Sequence, residues 1–356
     1  MTVSDEEIAG PLLVWFDQYG RHDLPWQQAV TPYRVWVSEI MLQQTQVQTV
    51  IPYFERFMAS FPTVVNLADA KLDDVLSHWA GLGYYARARN LHRAATEVCD
   101  HYRGRLPEVM ADLIQLPGIG RSTAGAILAL AHNQRQSILD GNVKRVLCRY
   151  QSIGEWSGTS RAQKQLWELA ERYTPQSRVD DYTQAIMDLG ATVCTRGQPQ
   201  CHRCPLHNGC RAHIEGRENA LPVPRPKRDR PLRHKVLMII RDDQGRVLLQ
   251  QRPPTGIWGG LWSLPECDVL TEVGAYCEQR LGLNAAVVAQ WPEVQHGFTH
   301  FQLVATPLLM ECTKLNLRVA DDYQYQWVSI EQSAKLGCPA PIKRLLNQLS
   351  ESINQE

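Results

Sequence analysis

Apolar residues recur at every third or fourth position through much of the first 216 residues. The segments 52–58, 72–79 and 166–172 show this spacing, which is typical of amphipathic helices. No alternating apolar and polar pattern of the kind that indicates strands interrupts them. The pattern therefore predicts an all-helical domain over residues 1–216.

The pattern changes in the C-terminal third of the chain. Apolar runs at 236–240 and 247–251 flank a polar turn at 242–245, which predicts a β-hairpin and an α+β domain over 236–356. Between the two domains, residues 217–235 hold four prolines among basic side chains. Because proline excludes a helix interior or a central strand, this segment is predicted to be an extended basic linker.

Composition and charge narrow the class of protein. The chain has 356 residues, of which 44% are hydrophobic, and this excludes a wholly disordered protein. It has no apolar run near the roughly 18 residues of a membrane span, and its acidic N-terminus lacks the order of a secretory signal. A cytoplasmic protein is expected. Since 37 Lys and Arg balance 37 Asp and Glu, any evidence for a nucleic-acid partner must come from local motifs.

Four of the ten cysteines fall close together in the segment 194–210, whereas the others are scattered. Such clustering favours a metal site over disulfide bridges. The spacing Cys-x6-Cys-x2-Cys-x5-Cys has one close pair and favours a [4Fe–4S] cluster, with a tetrahedral zinc ion as the alternative. The predicted ligands are Cys194, Cys201, Cys204 and Cys210.

Two glycines, Gly118 and Gly120, flank one apolar residue just before a helix rich in small residues. A tight turn at this place presents backbone N–H groups at a helix N-terminus, which can bind a phosphate. The segment predicts a helix–hairpin–helix over about 112–128. An ordinary helix–turn–helix corner is the alternative, because so short a glycine pattern also arises by chance.

Two carboxyl groups, those of Glu39 and Asp140, have sequence surroundings that suit a general acid and an ionised carboxylate acting with it. Glu39 lies within a helix predicted to begin at Thr31 and Pro32, among apolar residues that would raise its pKa and suit it to general acid catalysis. Asp140 is predicted to cap the next glycine-led helix and to be stabilised there as the anion. Such a pair can cleave a glycosidic bond. The alternative is that Glu39 is an exposed helix residue and Asp140 only a cap.

These motifs, in this order, resemble the endonuclease III superfamily of helix–hairpin–helix DNA glycosylases. The segments that resemble its adenine-removing branch are 25–26, 37–47, 81–90 and 139–146. The resemblance implies hydrolysis of the N-glycosidic bond of adenine mispaired with 8-oxoguanine or guanine, after the base is flipped out of double-stranded DNA. It also implies a role in base-excision repair that prevents G:C to T:A transversions.

The resemblance assigns roles to individual residues. Glu39 matches the catalytic acid, Asp140 the carboxylate that stabilises the oxocarbenium ion or traps it covalently, and Asn142 a polar group beside it. Ser122 stands where bifunctional relatives carry a Schiff-base lysine, which implies a monofunctional hydrolase without a strong lyase step. The remaining positions expected to contact DNA or the flipped base in this domain are Trp26, Gln44, Thr45, Leu82, Tyr84, Gly118, Gly120, Ser122 and Gln184.

The second domain resembles a Nudix domain that lacks its metal ligands. Residues 260–266 match the opening of a Nudix box, but Ala275 and Gln279 replace glutamates that would hold Mg²⁺. The resemblance implies a domain that recognises 8-oxoguanine through Phe298, Thr299 and His300, which we call the 8-oxoguanine loop. The family carries Phe-Ser-His there, and Thr299 keeps the hydroxyl group, so a partial preference for the oxidised base is expected.

Three other functions compete with this hypothesis. A non-catalytic lesion-binding or redox-signalling protein is disfavoured by Glu39 and Asp140, a nucleotide pyrophosphohydrolase by Ala275 and Gln279, and a bifunctional glycosylase/lyase by Ser122. The expected partner is duplex DNA that contains the mispair, with a sliding clamp or a mismatch-repair protein as further candidates. A monomer associated with the nucleoid, and not with a membrane, is expected.

Overall fold

The computed structural model describes residues 6–226, 229–253, 256–298, 300–315 and 325–353. The chain forms two compact units, the first made of Met1–Asp69 and Asn90–Lys227 and the second of Ala70–Arg89 and Arg228–Glu356. Within the described ranges, no helix is both long enough and apolar enough to cross a membrane.

The part of the chain that precedes the sheet is helical, as the apolar spacing predicts. Helices precede the sheet in the order α1 (Glu6–Tyr19), α2 (Pro32–Leu42), α3 (Val47–Ser60), α4 (Val64–Asp69), α5 (Leu72–Trp79), α6 (Ala86–Tyr102), α7 (Met110–Leu113), α8 (Arg121–His132), α9 (Gly141–Tyr150), α10 (Ser160–Tyr173), α11 (Val179–Asp188) and α12 (Arg211–Ile214). The three predicted helical segments fall within α3, α5 and α10. The prediction of these helices is confirmed.

The segment 70–89, which the sequence places in the helical domain, belongs instead to the second unit. Its contacts explain this difference. The Gln251 side-chain amide donates a hydrogen bond of 3.3 Å to Asp73 at the start of α5, and the Arg89 guanidinium donates to the carbonyl of Gly259. These contacts join residues far apart in sequence, which a local apolar pattern does not reveal.

Helix α2 begins as predicted, and its start fixes the position of Glu39. Thr31 Oγ1 accepts a hydrogen bond of 3.2 Å from the Arg34 N–H, and Pro32 occupies the first helical position. Proline suits that position because its missing N–H is not needed there. Trp36 and Met41 of this helix are fully buried, and α2 packs against α8. This packing holds one face of α2 in the core.

The predicted helix–hairpin–helix is present as α7, a tight turn and α8. Gly118 has φ +80°, and a Cβ at this position would lie 2.9 Å from Cβ of Asn90. Only glycine fits this left-handed conformation and close approach. Gly120 caps α8, and a Cβ there would meet no atom within 4 Å. The space next to Gly120 is therefore open.

The second unit contains a mixed sheet. Its strands are β1 (Leu232–Arg241), β2 (Val247–Gln251), β3 (Trp262–Ser263), β4 (Glu266–Cys267), β5 (Leu283–Gln290), β6 (Val294–Gly297), β7 (Gln302–Leu315) and β8 (Tyr325–Val328). The main path runs β3-β2-β1-β7-β5, with β1 and β7 parallel. The antiparallel pairing of β1 with β2 confirms the predicted hairpin. Further helices in this unit are α13 (Val273–Tyr276), α14 (Ile330–Lys335) and α15 (Ala340–Ile353).

The C-terminal boundary predicted for the linker, residue 235, is wrong. Strand β1 begins at Leu232, and its first four residues pair in parallel with the start of β7. Pro231 is the last of the linker prolines, and every residue of β1 after it has an N–H group to donate. Along β1, Val236 to Ile240 are all buried, as expected for a central strand covered on both faces.

Candidate active site

A cavity of about 1270 Å³ in the first unit gathers eight of the predicted site residues. It is lined by α2 and the loop after it, by the first residues of α8 and α9, and by α11. The predicted residues on its wall are Trp26, Glu39, Gln44, Thr45, Ser122, Asp140, Asn142 and Gln184. Residues from separate parts of the chain thus meet around one space.

Glu39 is one of the carboxyl groups on the wall of this cavity. It lies half-buried on α2 between the buried side chains of Ser38 and Ile40. Burial, followed by the negative charge of nearby Asp140, raises the pKa of Glu39 to about 8. At neutral pH the side chain therefore carries a proton that it can donate to a leaving group. The predicted rise in its pKa is confirmed.

Asp140 caps α9 as predicted. Its Oδ1 accepts a hydrogen bond of 2.7 Å from the Val143 N–H, and its Oδ2 accepts one of 3.1 Å from the Asn142 side-chain amide. The cap favours the anion as predicted, but burial of the carboxyl group has the larger effect and raises the pKa of Asp140. The hydrogen bonds from Val143 and Asn142 and the charge of Arg145 oppose this rise. Desolvation of the charged form outweighs the cap.

Arg145, which the sequence reasoning missed, holds Asn142 in place. Its Nη2 donates to Asn142 Oδ1 at 2.8 Å and to the Gly190 carbonyl at 2.5 Å, while Nε donates to the Cys194 carbonyl at 2.7 Å. A Cβ on Gly190 would lie 2.6 Å from Cβ of Asn142, so this position requires glycine. The sequence feature that could have identified Arg145 is its spacing of three residues from Asn142, which places both side chains on one face of a helix.

Ser122 connects the start of α8 to the segment that carries Asp140. Its Oγ accepts a hydrogen bond of 2.9 Å from the Leu139 N–H, one residue before the aspartate. Among the described residues that line the cavity, none is a lysine. The cavity wall therefore offers hydroxyl, amide, carboxyl and guanidinium groups, but no amine that could form a Schiff base.

Trp26 and Gln184 lie on the cavity wall as predicted. Trp26 is buried, and its ring meets that of Phe54 edge-to-face at 5.5 Å. Gln184 is a buried polar residue of α11, and its Nε2 donates a hydrogen bond of 2.8 Å to Asp188. An aromatic face and an oriented amide are groups that can recognise a flipped base.

The four predicted metal ligands, Cys194, Cys201, Cys204 and Cys210, line a second and smaller space. Arg149 of α9, also missed from the sequence, lies against them and is almost fully buried. Its Nη1 donates to the sulfur of Cys194 at 3.3 Å and to the Thr195 carbonyl at 2.7 Å, and its Nε donates to the Leu221 carbonyl at 2.9 Å. The guanidinium thus supports the loop and faces one of the sulfur atoms.

The predicted DNA contacts of the second unit differ in exposure. Between α5 and α6, Leu82 is buried whereas Tyr84 is 53% exposed. Of these two side chains, that of Tyr84 is the one available to an external partner. The Arg87 guanidinium lies 5.6 Å from the centroid of the Tyr84 ring.

The loop predicted to recognise 8-oxoguanine is described at two of its three positions. The Phe298 ring stacks on Phe301 with centroids 4.6 Å apart and lies 5.4 Å from the Trp258 ring, while His300 is exposed. Thr299 lies outside the described residues. Trp258, which sequence reasoning did not single out, packs against the loop.

In the Nudix-like segment, the negative charge of Glu266 is balanced by two basic side chains. Glu266, the glutamate that opens the Nudix box, accepts a hydrogen bond of 2.7 Å from Arg252 and lies 3.7 Å from the Lys235 ammonium. Two basic side chains thus balance this carboxylate. Ala275 lies on α13 and Gln279 on the turn that follows it.

Comparison with known proteins identifies two families along the chain. Residues 37–172 match the model of the HhH-GPD superfamily base excision DNA repair proteins, and residues 236–348 match that of the NUDIX domain. The adenine DNA glycosylase of Buchnera aphidicola subsp. Acyrthosiphon pisum is 36% identical over 96% of this chain and 97% of its own length. That of Rattus norvegicus is 40% identical over 82% of this chain and 68% of its own length.

A solved structure resembles the helical part. The structure of a thermostable thymine-DNA glycosylase has a TM-score of 0.54 and 26% sequence identity. The match covers 59% of this chain and 97% of the other. The helical architecture is therefore that of the HhH-GPD superfamily of base excision DNA repair proteins.

Proposed function

The chain belongs to the adenine DNA glycosylases, and we propose that it is a monofunctional hydrolase that removes adenine mispaired with 8-oxoguanine or guanine. The observation that carries this proposal is the pairing of Glu39 and Asp140 on the wall of one cavity. By starting base-excision repair at this mispair, the enzyme would prevent G:C to T:A transversions.

The two carboxyl groups have complementary roles in this reaction. Glu39 is protonated at neutral pH and donates its proton to the departing adenine, while the Asp140 carboxylate stabilises the positive charge that develops on the sugar. Once it has lost its proton, Glu39 accepts one from the attacking water. The Asn142 amide donates a hydrogen bond to Asp140, and Arg145 in turn donates one to Asn142. The products are free adenine and an intact strand with an abasic site.

Ser122 supports the monofunctional part of the proposal. A lyase step requires an amine that attacks the sugar and forms a Schiff base. At this position the chain offers a hydroxyl that accepts a hydrogen bond from Leu139, and the described cavity wall has no lysine. Water is therefore the proposed nucleophile.

We further propose that residues of both units contact the lesion-bearing strand. On the first unit these are Gln44 and Thr45, which line the cavity. On the second unit they are Tyr84, whose ring is exposed, and the 8-oxoguanine loop. Since hydrogen bonds to the oxidised base supply the discrimination, and one bidentate pair contributes about 1–3 kcal/mol, the preference is partial.

Single-turnover rates on matched duplexes test the lesion preference and the monofunctional step together. Adenine is placed opposite 8-oxoguanine, guanine or cytosine, and strand breaks are scored before and after alkali. We expect release to be fastest opposite 8-oxoguanine, strands that stay intact until alkali, and no adduct after borohydride. A trapped adduct would show a lyase step, and equal rates on the three duplexes would refute the lesion preference. Thr299→Ser, which restores the serine found at this position in the family, serves as the matched variant.

The raised pKa of Glu39 predicts how the reaction depends on pH. Because Glu39 must be protonated to donate its proton, the single-turnover rate should stay high at pH values below its pKa of about 8. At higher pH the rate should fall about tenfold per pH unit. The rate is measured from pH 6 to 10 at saturating enzyme. A rate that is constant to pH 10 would exclude Glu39 as the proton donor.

We also propose that Cys194, Cys201, Cys204 and Cys210 hold a [4Fe–4S] cluster. Tetrahedral zinc, with bonds of about 2.3 Å, would bring the four sulfurs about 3.8 Å from one another. Among the described residues, no three of the four cysteine sulfur atoms lie within 4.8 Å of one another. The three ligand atoms that do lie so close belong to Cys201, His213 and Glu218. This wider sulfur spacing supports the cluster. With four cysteine ligands the iron has no open position, so the cluster would supply structure rather than hydrolytic chemistry.

Replacement of one ligand tests the cluster. Cys204→Ser should remove most of the bound iron and sulfide and the visible absorbance of the purified protein, and should lower its thermal stability. Cys148→Ser, at a buried cysteine outside the loop, serves as the control and should keep its iron. Stoichiometric zinc in place of iron in the wild-type protein would contradict the proposal.

A further inference from the structure

An ion pair between Arg21 and the buried Asp188 lies next to the Gln184 amide of the cavity. Asp188, the last residue of α11, is fully buried. Its Oδ2 accepts a hydrogen bond of 2.8 Å from the Arg21 backbone N–H, and its Oδ1 accepts bonds of 3.0 and 2.5 Å from Arg21 Nε and Nη2. Arg21 and Gln184 line the cavity, whereas Asp188 does not. Arg21 therefore fixes a carboxylate that has no direct access to a substrate.

This carboxylate determines how the Gln184 amide is oriented. An ionised carboxylate can only accept hydrogen bonds, so Gln184 must point its NH₂ group towards Asp188, and the observed bond from Nε2 to Oδ1 is 2.8 Å long. Within the described parts of the chain, Gln184 Oε1 accepts no hydrogen bond. The amide thus keeps an acceptor for a ligand, and rotation by 180° would exchange it for a donor.

We propose that Asp188 and Arg21 are positioning residues that select for adenine by orienting Gln184. With its amide held in this way, Gln184 presents Oε1 to the exocyclic amine of the flipped adenine, which is a hydrogen-bond donor. A base with a carbonyl or a hydrogen at that position cannot make this bond. The inference rests on the proposed function, and it assigns the choice of base to two residues outside the acid–base pair.

The test compares adenine with purine, which lacks only the 6-amino group, each placed opposite 8-oxoguanine. Single-turnover rates of release are measured for both bases with the wild type, Gln184→Leu, Asp188→Ala and the double variant. The adenine-to-purine rate ratio should fall about threefold to tenfold in each single variant, as expected for one hydrogen bond. In the double variant it should fall no further, because both changes remove the same bond.

The rate ratio separates positioning from folding. Both bases are measured on one preparation, so a loss of folded protein cancels in the ratio. Asp188→Leu serves as a second variant if Asp188→Ala does not fold; its side chain fills the space but accepts no hydrogen bond from Gln184, and the ratio should fall again. As the matched control, Asp17→Ala removes a half-exposed aspartate that also binds an arginine, Arg178, and should leave the ratio unchanged.

Three results would overturn either the positioning role or the proposed function. A wild type that releases adenine, together with an Asp188→Ala variant whose ratio is unchanged, would reject the positioning role and leave the proposed function standing. Effects on the ratio that add in the double variant would also reject it, because Asp188 would then act by another route. A wild type that releases neither base would reject the proposed function itself.

Discussion

Glu39→Gln is expected to slow single-turnover adenine release by about 10²–10⁴-fold, the range typical for loss of a general acid. Glutamine keeps the size of the side chain and its place on α2, but its amide does not supply the acidic proton. The loss should appear in the chemical step and not in affinity for the duplex. Rates at saturating enzyme and binding to a duplex with an uncleavable adenine analogue measure the two effects separately.

A surface glutamate gives the control for this substitution. Glu168 is exposed on α10 and lies outside the cavity, so Glu168→Gln should release adenine at the wild-type rate. Retention of more than about a tenth of the wild-type rate by Glu39→Gln would be too small a loss for a general acid. The proton would then have to come from another group.

Asp140→Asn should have the second large effect, a loss of about 10²–10³-fold in the rate of adenine release. This is the magnitude seen when one electrostatic group that stabilises a transition state is removed. Asparagine caps a helix as well as aspartate does, so the bond to the Val143 N–H can be replaced and the melting temperature should stay close to that of the wild type.

Asp140→Ala separates the charge from the cap. Alanine removes both, so this variant should lose activity like Asp140→Asn and also about 0.5–2 kcal/mol of folding free energy. Denaturant unfolding and single-turnover rates are measured on the same preparations. Wild-type activity in Asp140→Asn would show that the negative charge is not needed and would leave Asp140 with a structural role alone.

Local features of the chain could be predicted from the sequence. The start of α2 follows from Thr31 and Pro32, and the turn before α8 from Gly118, because capping and positive φ depend on adjacent residues. The buried environment of Glu39 follows from its apolar neighbours. The start of β1 at Leu232 could not be predicted, because its pairing partner, β7, begins 70 residues later at Gln302.

The features of the site that could not be predicted depend on side-chain contacts between residues that are distant in sequence. The pKa of Asp140 depends on how completely the assembled cavity excludes water, and the cap alone predicts the opposite direction. Arg21 reaches Asp188 across 167 positions of sequence, and Arg149 reaches Leu221 across 72. A basic residue in a sequence is most often solvated, so nothing in its immediate surroundings marks it as buried and paired.

The central claim is that the Glu39 and Asp140 pair hydrolyses the bond between adenine and deoxyribose. The most direct test is single-turnover release of free adenine from a duplex with adenine opposite 8-oxoguanine, by the wild type and by Glu39→Gln under the same conditions. The account predicts release by the wild type alone, from a strand that stays intact until alkali. Tight binding of the duplex by both proteins, with adenine released by neither, would contradict it.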